Sequence, residues 1–347
     1  MKDNAISNLK AVMLLGVVVS HAWASTQYIT TPQIPPVHFV TWFSIVLIVS
    51  GLPVFFFLSG YFAGRKSEEL LTLKGYRTML GKKIRSLVIP YIAWNLLFIV
   101  FYLSVGGVVP RIGQRVASFH LDTANGFLKS LLGVGRNPID APLWFVRDLF
   151  LIFLISPIVV WLIKYARWVL FGVILYLLCF GFGFYGKWYS FVFFSLGILA
   201  AQKNFELRSL TKFKWVSIPI WLLASIGIYW GMVHYGTYYP DPRIMIWFFV
   251  SANFAWLGLL PWMEFRPTNM LVRYITPASF FIYCAHFLVC SMFLHSIAGK
   301  VPDSPIKLIS LYGVFIGMGG ITMLAIFHLA KRCFPKGLSI FVGGRLS

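Results

Sequence analysis

Ten long apolar runs, separated by short basic segments, constrain the fold of this chain more than any other feature. Each is long enough, or nearly long enough, to cross a bilayer core, which takes about 20 apolar residues in a helix. The runs cover residues 8–27, 40–63, 86–104, 142–163, 168–184, 188–202, 215–234, 244–262, 274–298 and 306–331. We therefore predict an all-α integral membrane protein with about ten transmembrane helices. Residues 1–347 are expected to form a single membrane domain with no appended extracytoplasmic domain.

The composition agrees with a membrane protein. Hydrophobic residues make up 59% of the chain and charged residues only 12%, whereas soluble domains carry about 25% charged residues. The formal net charge is +20, which in a soluble protein would indicate nucleic-acid binding. Here the basic residues lie in short clusters between apolar runs, so we expect a lipid bilayer as the partner and no nucleic acid.

The distribution of basic residues predicts the orientation. If the N-terminus is cytoplasmic, the cytoplasmic segments hold 21 Lys and Arg residues and the outer segments hold 8. Because basic residues accumulate on the cytoplasmic side, both termini are predicted to lie in the cytoplasm. The basic segment 64–85 has apolar positions that fit a helix along the membrane surface. The longest outer segment, 105–141, is predicted to be a loop.

The first run carries a histidine, and ionisable side chains inside a span are costly enough to mark functional candidates. His21 follows Lys10 by eleven positions, which on a helix places both on one face, about 16 Å apart along the axis. This arrangement suits a long substrate whose anionic end stays at the cytoplasmic rim while its reacting end enters the membrane. The alternative is an anchoring lysine and a core histidine bonded to a neighbouring helix.

Two later runs carry further ionisable residues, Arg147 and Asp148 in the fourth and His286 in the ninth. Asp148 is a candidate to orient a histidine, and Arg147 is a candidate to stabilise an oxyanion. The alternatives are a structural ion pair for the first two and a buried polar link between helices for His286. The chain contains no motif with metal-ligand spacing, so we predict no metal.

A basic cluster at Lys82, Lys83 and Arg85 precedes the third run. It fits plain positive-inside topology with contact to anionic lipid, or a cradle for a cytoplasmic polyphosphate. Ser59 and Gly60 close the second run next to this cluster. A glycine there allows close approach of a ligand to the backbone, and helix packing would explain it equally well.

Five segments, in order, resemble motifs of the membrane-bound acyltransferase-3 family of bacterial O-acyltransferases. Residues 10–21 resemble its Arg-x10-His motif, 55–62 its FFxxSGF segment, 82–91 its basic-x-Arg-to-Pro stretch, 142–149 its Trp-plus-acid segment and 279–286 its SxxIYxxH segment. The resemblance covers most of the chain. Lys10 stands where the family usually has Arg, and Asp148 stands where many members have Glu.

The resemblance implies an O-acyltransferase of the bacterial plasma (inner) membrane. The donor would be an acyl-CoA bound from the cytoplasm, most often acetyl-CoA, and the acceptor a hydroxyl of a glycan or another molecule. His21 would be the catalytic histidine and general base. The expected site comprises His21, Asp148, Arg147 and His286 for catalysis; Lys10, Lys82, Lys83, Arg85, Ser59 and Gly60 for the donor; and Trp144, Tyr61 and Tyr283 for the substrate.

Two other functions use the same polar residues. A multi-span transporter or flippase for a polar or anionic solute would place them at a midplane site, but its typical inverted repeats are not found in the sequence. A non-catalytic assembly subunit would use them only to lock helices together. Hydrolysis of acetyl-CoA by the purified protein would distinguish an acyltransferase from a transporter and from an assembly subunit.

Overall fold

The computed structural model describes residues 4–27, 38–106, 119, 121–180, 188–235, 242–265, 269–296 and 304–346. Regular structure within these ranges is helical throughout, which confirms the predicted all-α membrane class. The α-helices are α1 (Asn4–Gln27), α2 (His38–Gly64), α3 (Ser67–Leu70), α4 (Leu73–Lys83), α5 (Ile89–Gly106), α6 (Ala124–Leu132), α7 (Trp144–Tyr165), α8 (Arg167–Phe180), α9 (Trp188–Gln202), α10 (Lys214–Tyr235), α11 (Pro242–Gly258), α12 (Thr276–Ser296), α13 (Pro305–Cys333) and α14 (Pro335–Phe341).

Each predicted span coincides with a helix, wholly or in its larger part. Six helical segments in the described ranges are long and apolar enough to cross a membrane: Asn4–Ala22, Leu73–Ser104, Ala141–Tyr165, Leu207–His234, Leu271–Cys290 and Pro305–Cys333. Shorter apolar helices cover Ser50–Gly64, Arg167–Leu178 and Tyr189–Gln202. The number of ten crossings and the cytoplasmic position of both termini stay predictions.

The third span begins earlier than its apolar run. Helix α4 occupies the segment predicted to lie along the membrane surface, but it continues through a π-helical turn, Ile84–Val88, into α5. The turn has a local cause, because Pro90 lacks an amide hydrogen and cannot bond the carbonyl of Ser86 four residues before it. A π-turn is a common way for a helix to absorb such an interruption. Residues 73–106 are therefore helical without a break, and the position of α4 along the membrane surface stays a prediction.

The segment predicted as the long outer loop contains a helix, α6. The Thr123 hydroxyl caps its start by accepting a hydrogen bond from the Gly126 amide at 3.0 Å. Gly133 ends it in the left-handed conformation with φ 68°, where glycine is favoured because it has no Cβ. The loop prediction was wrong here because a nine-residue helix lacks the length of a span and depends on its caps.

The described residues fall into two compact units. The first draws on Met1–Ser20, Val37–Gly81 and Leu151–Thr276, and the second on His21–Pro36, Lys82–Phe150 and Pro277–Ser347. Close packing of α2 against α9 forms the core of the first unit. A Cβ on Gly60 would lie 2.0 Å from the Phe194 carbonyl oxygen, so the helix backbones touch where membrane helices commonly use small residues.

The core of the second unit is aromatic. The Phe281 ring of α12 lies 5.4 Å from the Trp94 ring of α5 and 5.6 Å from the Phe327 ring of α13. The buried Asn95 amide adds a polar link, because it donates to the Tyr91 carbonyl at 2.8 Å and accepts from the Asp140 amide at 3.0 Å. These contacts hold α5, α12 and α13 around the segment that precedes α7.

Candidate active site

A pair of histidines lies in the second unit. The ring centroids of His21 on α1 and His286 on α12 are 5.0 Å apart, with their planes tilted by 44°. His286 is 0% exposed, whereas His21 is partly exposed. The structure therefore places together the two histidines that the sequence predicts as catalytic, one buried and one accessible.

A backbone hydrogen bond sets the tautomer of His286. Its Nδ1 lies in hydrogen-bonding contact with the Tyr283 carbonyl oxygen, one helical turn earlier. Because a carbonyl only accepts, a neutral His286 carries its proton on Nδ1 and keeps the lone pair on Nε2. Within the described residues, Nε2 is buried and has no hydrogen-bond partner. The pair therefore contains a desolvated nitrogen that is able to accept a proton or a hydrogen bond.

Tyr283 joins the fourth and fifth motif segments. Its hydroxyl donates to the Pro142 carbonyl, and its ring lies 6.3 Å from that of Phe145. Trp144, predicted to bind substrate, is half-buried and stacks edge-on against Phe145 at 6.2 Å. The segment that opens α7 is thus held directly beside the helix that carries His286.

Arg147 and Asp148 pair with each other. The guanidinium Nε and Nη2 of Arg147 each lie 2.8 Å from Oδ1 of Asp148, and Nη1 donates to the Gly133 carbonyl at the end of α6. Asp148 is only 8% exposed, so the pair is largely desolvated. This geometry matches the structural ion pair considered from the sequence. The catalytic roles of both residues stay predictions.

Asp140, which was not among the predicted site residues, is a buried acid of the second unit. It is 0% exposed, and its carbonyl accepts a hydrogen bond from the Leu143 amide at 3.0 Å. Burying a carboxylate is costly, which makes this side chain a site candidate. The available sequence signal was an acid two positions before Pro142, at the start of a span.

The basic cluster also belongs to the second unit. Lys82 and Arg85 are exposed and Lys83 is half-buried, so at least two cations are accessible to an anionic ligand. The backbone of Gly343 lies against Ser86, the residue that follows Arg85. A Cβ on Gly343 would be 2.7 Å from the Ser86 carbonyl oxygen. The C-terminal end of the chain therefore borders the cluster.

The remaining predicted residues lie in the first unit. The Lys10 ammonium is 5.1 Å from the centre of the Phe62 ring, which joins the first and second motif segments. The Tyr61 hydroxyl donates to the Phe205 carbonyl at 2.8 Å, and Ser59 is half-buried. Gly60 packs against α9 as described above, so the packing interpretation explains this glycine. Its contact with a donor stays a prediction.

Tyr61 also borders a polar cavity of about 810 Å³ in the first unit. This volume is within the range of small-molecule sites, about 300–1,000 Å³. The charged side chains of its wall are Arg65, Glu68, Lys164 and Glu206. Lys164 and Glu68 form an ion pair of 3.0 Å there. The cavity is therefore a polar recess of the first unit with the volume of a small-molecule site.

Among the described residues, no group of three or more His, Cys, Asp or Glu side chains is arranged to hold a metal ion. The second unit holds the histidine pair, the Arg147–Asp148 pair and the basic cluster, and the first unit holds the Lys10–Phe62 contact.

Comparison with protein-family models matches residues 3–330 to an acyltransferase domain family, Acyl_transf_3. A curated relative is the succinoglycan biosynthesis protein ExoH of Rhizobium meliloti (strain 1021). It is 24% identical over 355 residues, covering 98% of this chain and 92% of the relative. No solved structure matches the chain.

Proposed function

The chain belongs to the acyltransferase-3 family, and from this premise we propose that it transfers an acyl group from cytoplasmic acyl-CoA to a hydroxyl of a polysaccharide or its precursor. The acyl group is proposed to be acetyl and the membrane to be the bacterial plasma membrane. The observation that carries the proposal is the contact between His21 and His286 at 5.0 Å. A pair of imidazoles, one buried and one partly exposed, supports the proposal because such a transfer needs a base.

The proposed chemistry is proton abstraction with nucleophilic attack. His21, as general base, takes the proton of the acceptor hydroxyl while that oxygen attacks the thioester carbonyl carbon. The carbon–sulfur bond then breaks, an ester forms, and the leaving coenzyme A thiolate takes the proton from His21. Such general-base catalysis contributes about 10²–10⁴-fold to the rate. His286, with its lone pair on Nε2, is proposed to orient His21.

The ion pair of α7 has a proposed part in the same step. The tetrahedral intermediate carries an oxyanion, which a fixed guanidinium stabilises in a water-poor site. Arg147 is held by Asp148 and by the Gly133 carbonyl, so its position is set before a substrate arrives. Trp144 and Tyr283 are proposed to line the acceptor pocket beside it.

The donor's phosphates are proposed to bind Arg85, Lys82 and Lys83. Two of these cations are exposed, and charge-assisted contacts to phosphate are the strong ones. Lys10 is proposed to contribute a further cation, although a lysine cannot make the bidentate contact of the family's arginine. Ser59, Gly60 and Tyr61 are proposed to border the path of the donor.

The acceptor class is supported by the relative. ExoH is named for the biosynthesis of succinoglycan, which is a polysaccharide. Because the two chains align over nearly their full lengths, a polysaccharide hydroxyl is the acceptor that we propose here.

The test is thiol release from acetyl-CoA by purified protein in detergent, with wild type beside His21→Ala. His234→Ala is the matched control, because His234 is an exposed histidine at the end of α10. We expect release by wild type and the control, and a loss of about 10²-fold or more in His21→Ala. Equal release by His21→Ala in its folded form would refute the base assignment. No release by wild type, with no stabilisation by coenzyme A, would favour the transporter.

A further inference from the structure

The last described part of the second unit, residues 335–346, forms a C-terminal hook that consists of α14 and the turn after it. Leu338 and Val342 are buried, at 4% and 2% exposure. The Phe341 carbonyl accepts a hydrogen bond from the Trp94 indole at 3.0 Å, and the two rings lie 5.3 Å apart. The hook is therefore packed against α5.

Two glycines turn the hook toward the basic cluster. Gly343 and Gly344 have φ values of 62° and 77°, a region that favours glycine because a Cβ would clash. The Gly343 backbone lies directly against Ser86, the residue after Arg85. The turn thus brings the following side chain, Arg345, to the part of the unit where the cluster ends, at Arg85 and Ser86.

The guanidinium of Arg345 is held in place but not enclosed. Its Cζ lies 4.0 Å from the centre of the Phe280 ring on α12, and Nη1 donates to the Val342 carbonyl at 2.9 Å. A guanidinium has five N–H donors in a fork that matches phosphate oxygens, and the residue is exposed. Arg345 is therefore a fixed cation with donors that a ligand is able to reach.

A row of rings connects this cation to the histidine pair. Phe280, Tyr283 and His286 follow one another on α12, with ring separations of 6.3 Å and 5.9 Å. Six residues of helix rise about 9 Å. Arg345 lies over the first ring, and His21 lies 5.0 Å from the last. One helix face thus has a cation at one end and the proposed base at the other.

We propose that Arg345 is a donor-binding residue that contacts the phosphates of acyl-CoA together with Arg85 and Lys82. This assignment rests on the proposed acyltransferase function. The thioester end of the donor is then proposed to reach the partly exposed His21 ring, which lies beside the buried His286. The C-terminal hook is, on this assignment, a part of the donor site.

The test compares two thioesters, acetyl-CoA and S-acetylpantetheine, which lacks the phosphates. Thiol release is measured in a neutral detergent without added lipid, for wild type, Arg345→Gln and Arg345→Lys. For Arg345→Gln we expect the KM for acetyl-CoA to rise about ten-fold or more, as for loss of a charged hydrogen bond, with kcat little changed. The KM for S-acetylpantetheine should stay at the wild-type value. The KM of Arg345→Lys for acetyl-CoA should lie between the values of wild type and Arg345→Gln, because lysine keeps the positive charge but lacks the forked guanidinium donors.

The matched control is Lys336→Gln, which removes an exposed cation from the same hook and should leave both KM values unchanged. An equal increase in KM for acetyl-CoA and S-acetylpantetheine would show that Arg345 only holds the hook in place. An unchanged KM for both thioesters would exclude Arg345 from the donor site. Either outcome overturns the assignment. Wild-type protein that neither turns over acetyl-CoA nor is stabilised by coenzyme A would instead overturn the proposed function, and the assignment with it. Thermal unfolding of each variant shows that the fold is retained.

Discussion

His286 lies beside His21 with its Nδ1 engaged by the Tyr283 carbonyl. The bond directs the lone pair to Nε2, away from the backbone of its own helix. The contact between these two imidazoles is the feature of the second unit from which the proposed chemistry proceeds. A substitution that keeps the ring of His286 and removes its nitrogen atoms distinguishes a chemical role of this residue from a packing role.

Replacing His286 with phenylalanine keeps a ring of similar size and removes Nε2. If the nitrogen orients the base, thiol release from acetyl-CoA should fall by about 10²-fold, within the range for acid–base groups. The melting temperature should change little, because one hydrogen bond contributes only about 1 kcal/mol. His234→Phe at the exposed end of α10 is the control. Wild-type turnover by a folded His286→Phe protein would show that the ring only packs.

Gly60→Ala tests the packing of α2 against α9. The added methyl would lie 2.0 Å from the Phe194 carbonyl oxygen, so the helices must separate. We expect a loss of about 1–3 kcal/mol in the free energy of unfolding, typical of overpacking. Gly172→Ala is the matched control, since nothing lies within 4 Å of a Cβ there. Thermal unfolding in detergent measures both, and equal melting temperatures would contradict the close approach.

Arg147→Gln leaves Asp148 buried without its cation. Removing one partner of a buried ion pair costs about 3–5 kcal/mol, although the 18% and 10% side-chain exposure of this pair places the expected loss near the lower end. The double variant Arg147→Gln, Asp148→Asn removes both charges and should recover most of the stability. Urea unfolding of the single and double variants checks this. If the recovered double variant also regains turnover, Arg147 does not stabilise the oxyanion.

Asn95→Leu tests the polar link of the second unit. It leaves the buried Asp140 amide without its Asn95 acceptor and removes the side-chain bond to the Tyr91 carbonyl, which keeps the backbone amide of residue 95 as its helical partner. One unpaired buried polar group costs about 1–3 kcal/mol, so a fall in melting temperature is expected. Ser104→Ala removes an exposed bond to Val100 within the same helix and should change it little. Similar melting temperatures for the two variants would argue against the link.

Several of these features follow from the sequence because they depend on local properties. The length of an apolar run and its flanking charges predict a span without reference to any other run, and all ten runs coincide with helices. His21 and His286 could be chosen as candidates because an ionisable residue within such a run is conspicuous by itself. The helix α6 was missed although its caps, Thr123 and Gly133, are local signals, because a short helix gives a weaker pattern than a span.

The pairings between residues distant in the chain depend on the tertiary structure. The contact of His21 with His286 joins the first helix to the twelfth, and the position of Arg345 over Phe280 joins residues 65 positions apart. The burial of Asp140 likewise depends on segments packed around it. Apolar runs in a membrane resemble one another, so their hydropathy does not specify which helix packs against which. That choice depends on the fit of small residues such as Gly60 and on polar groups that must find partners inside the bundle. The class of protein and its candidate residues thus follow from local sequence properties, whereas helix packing determines which of those residues come into contact.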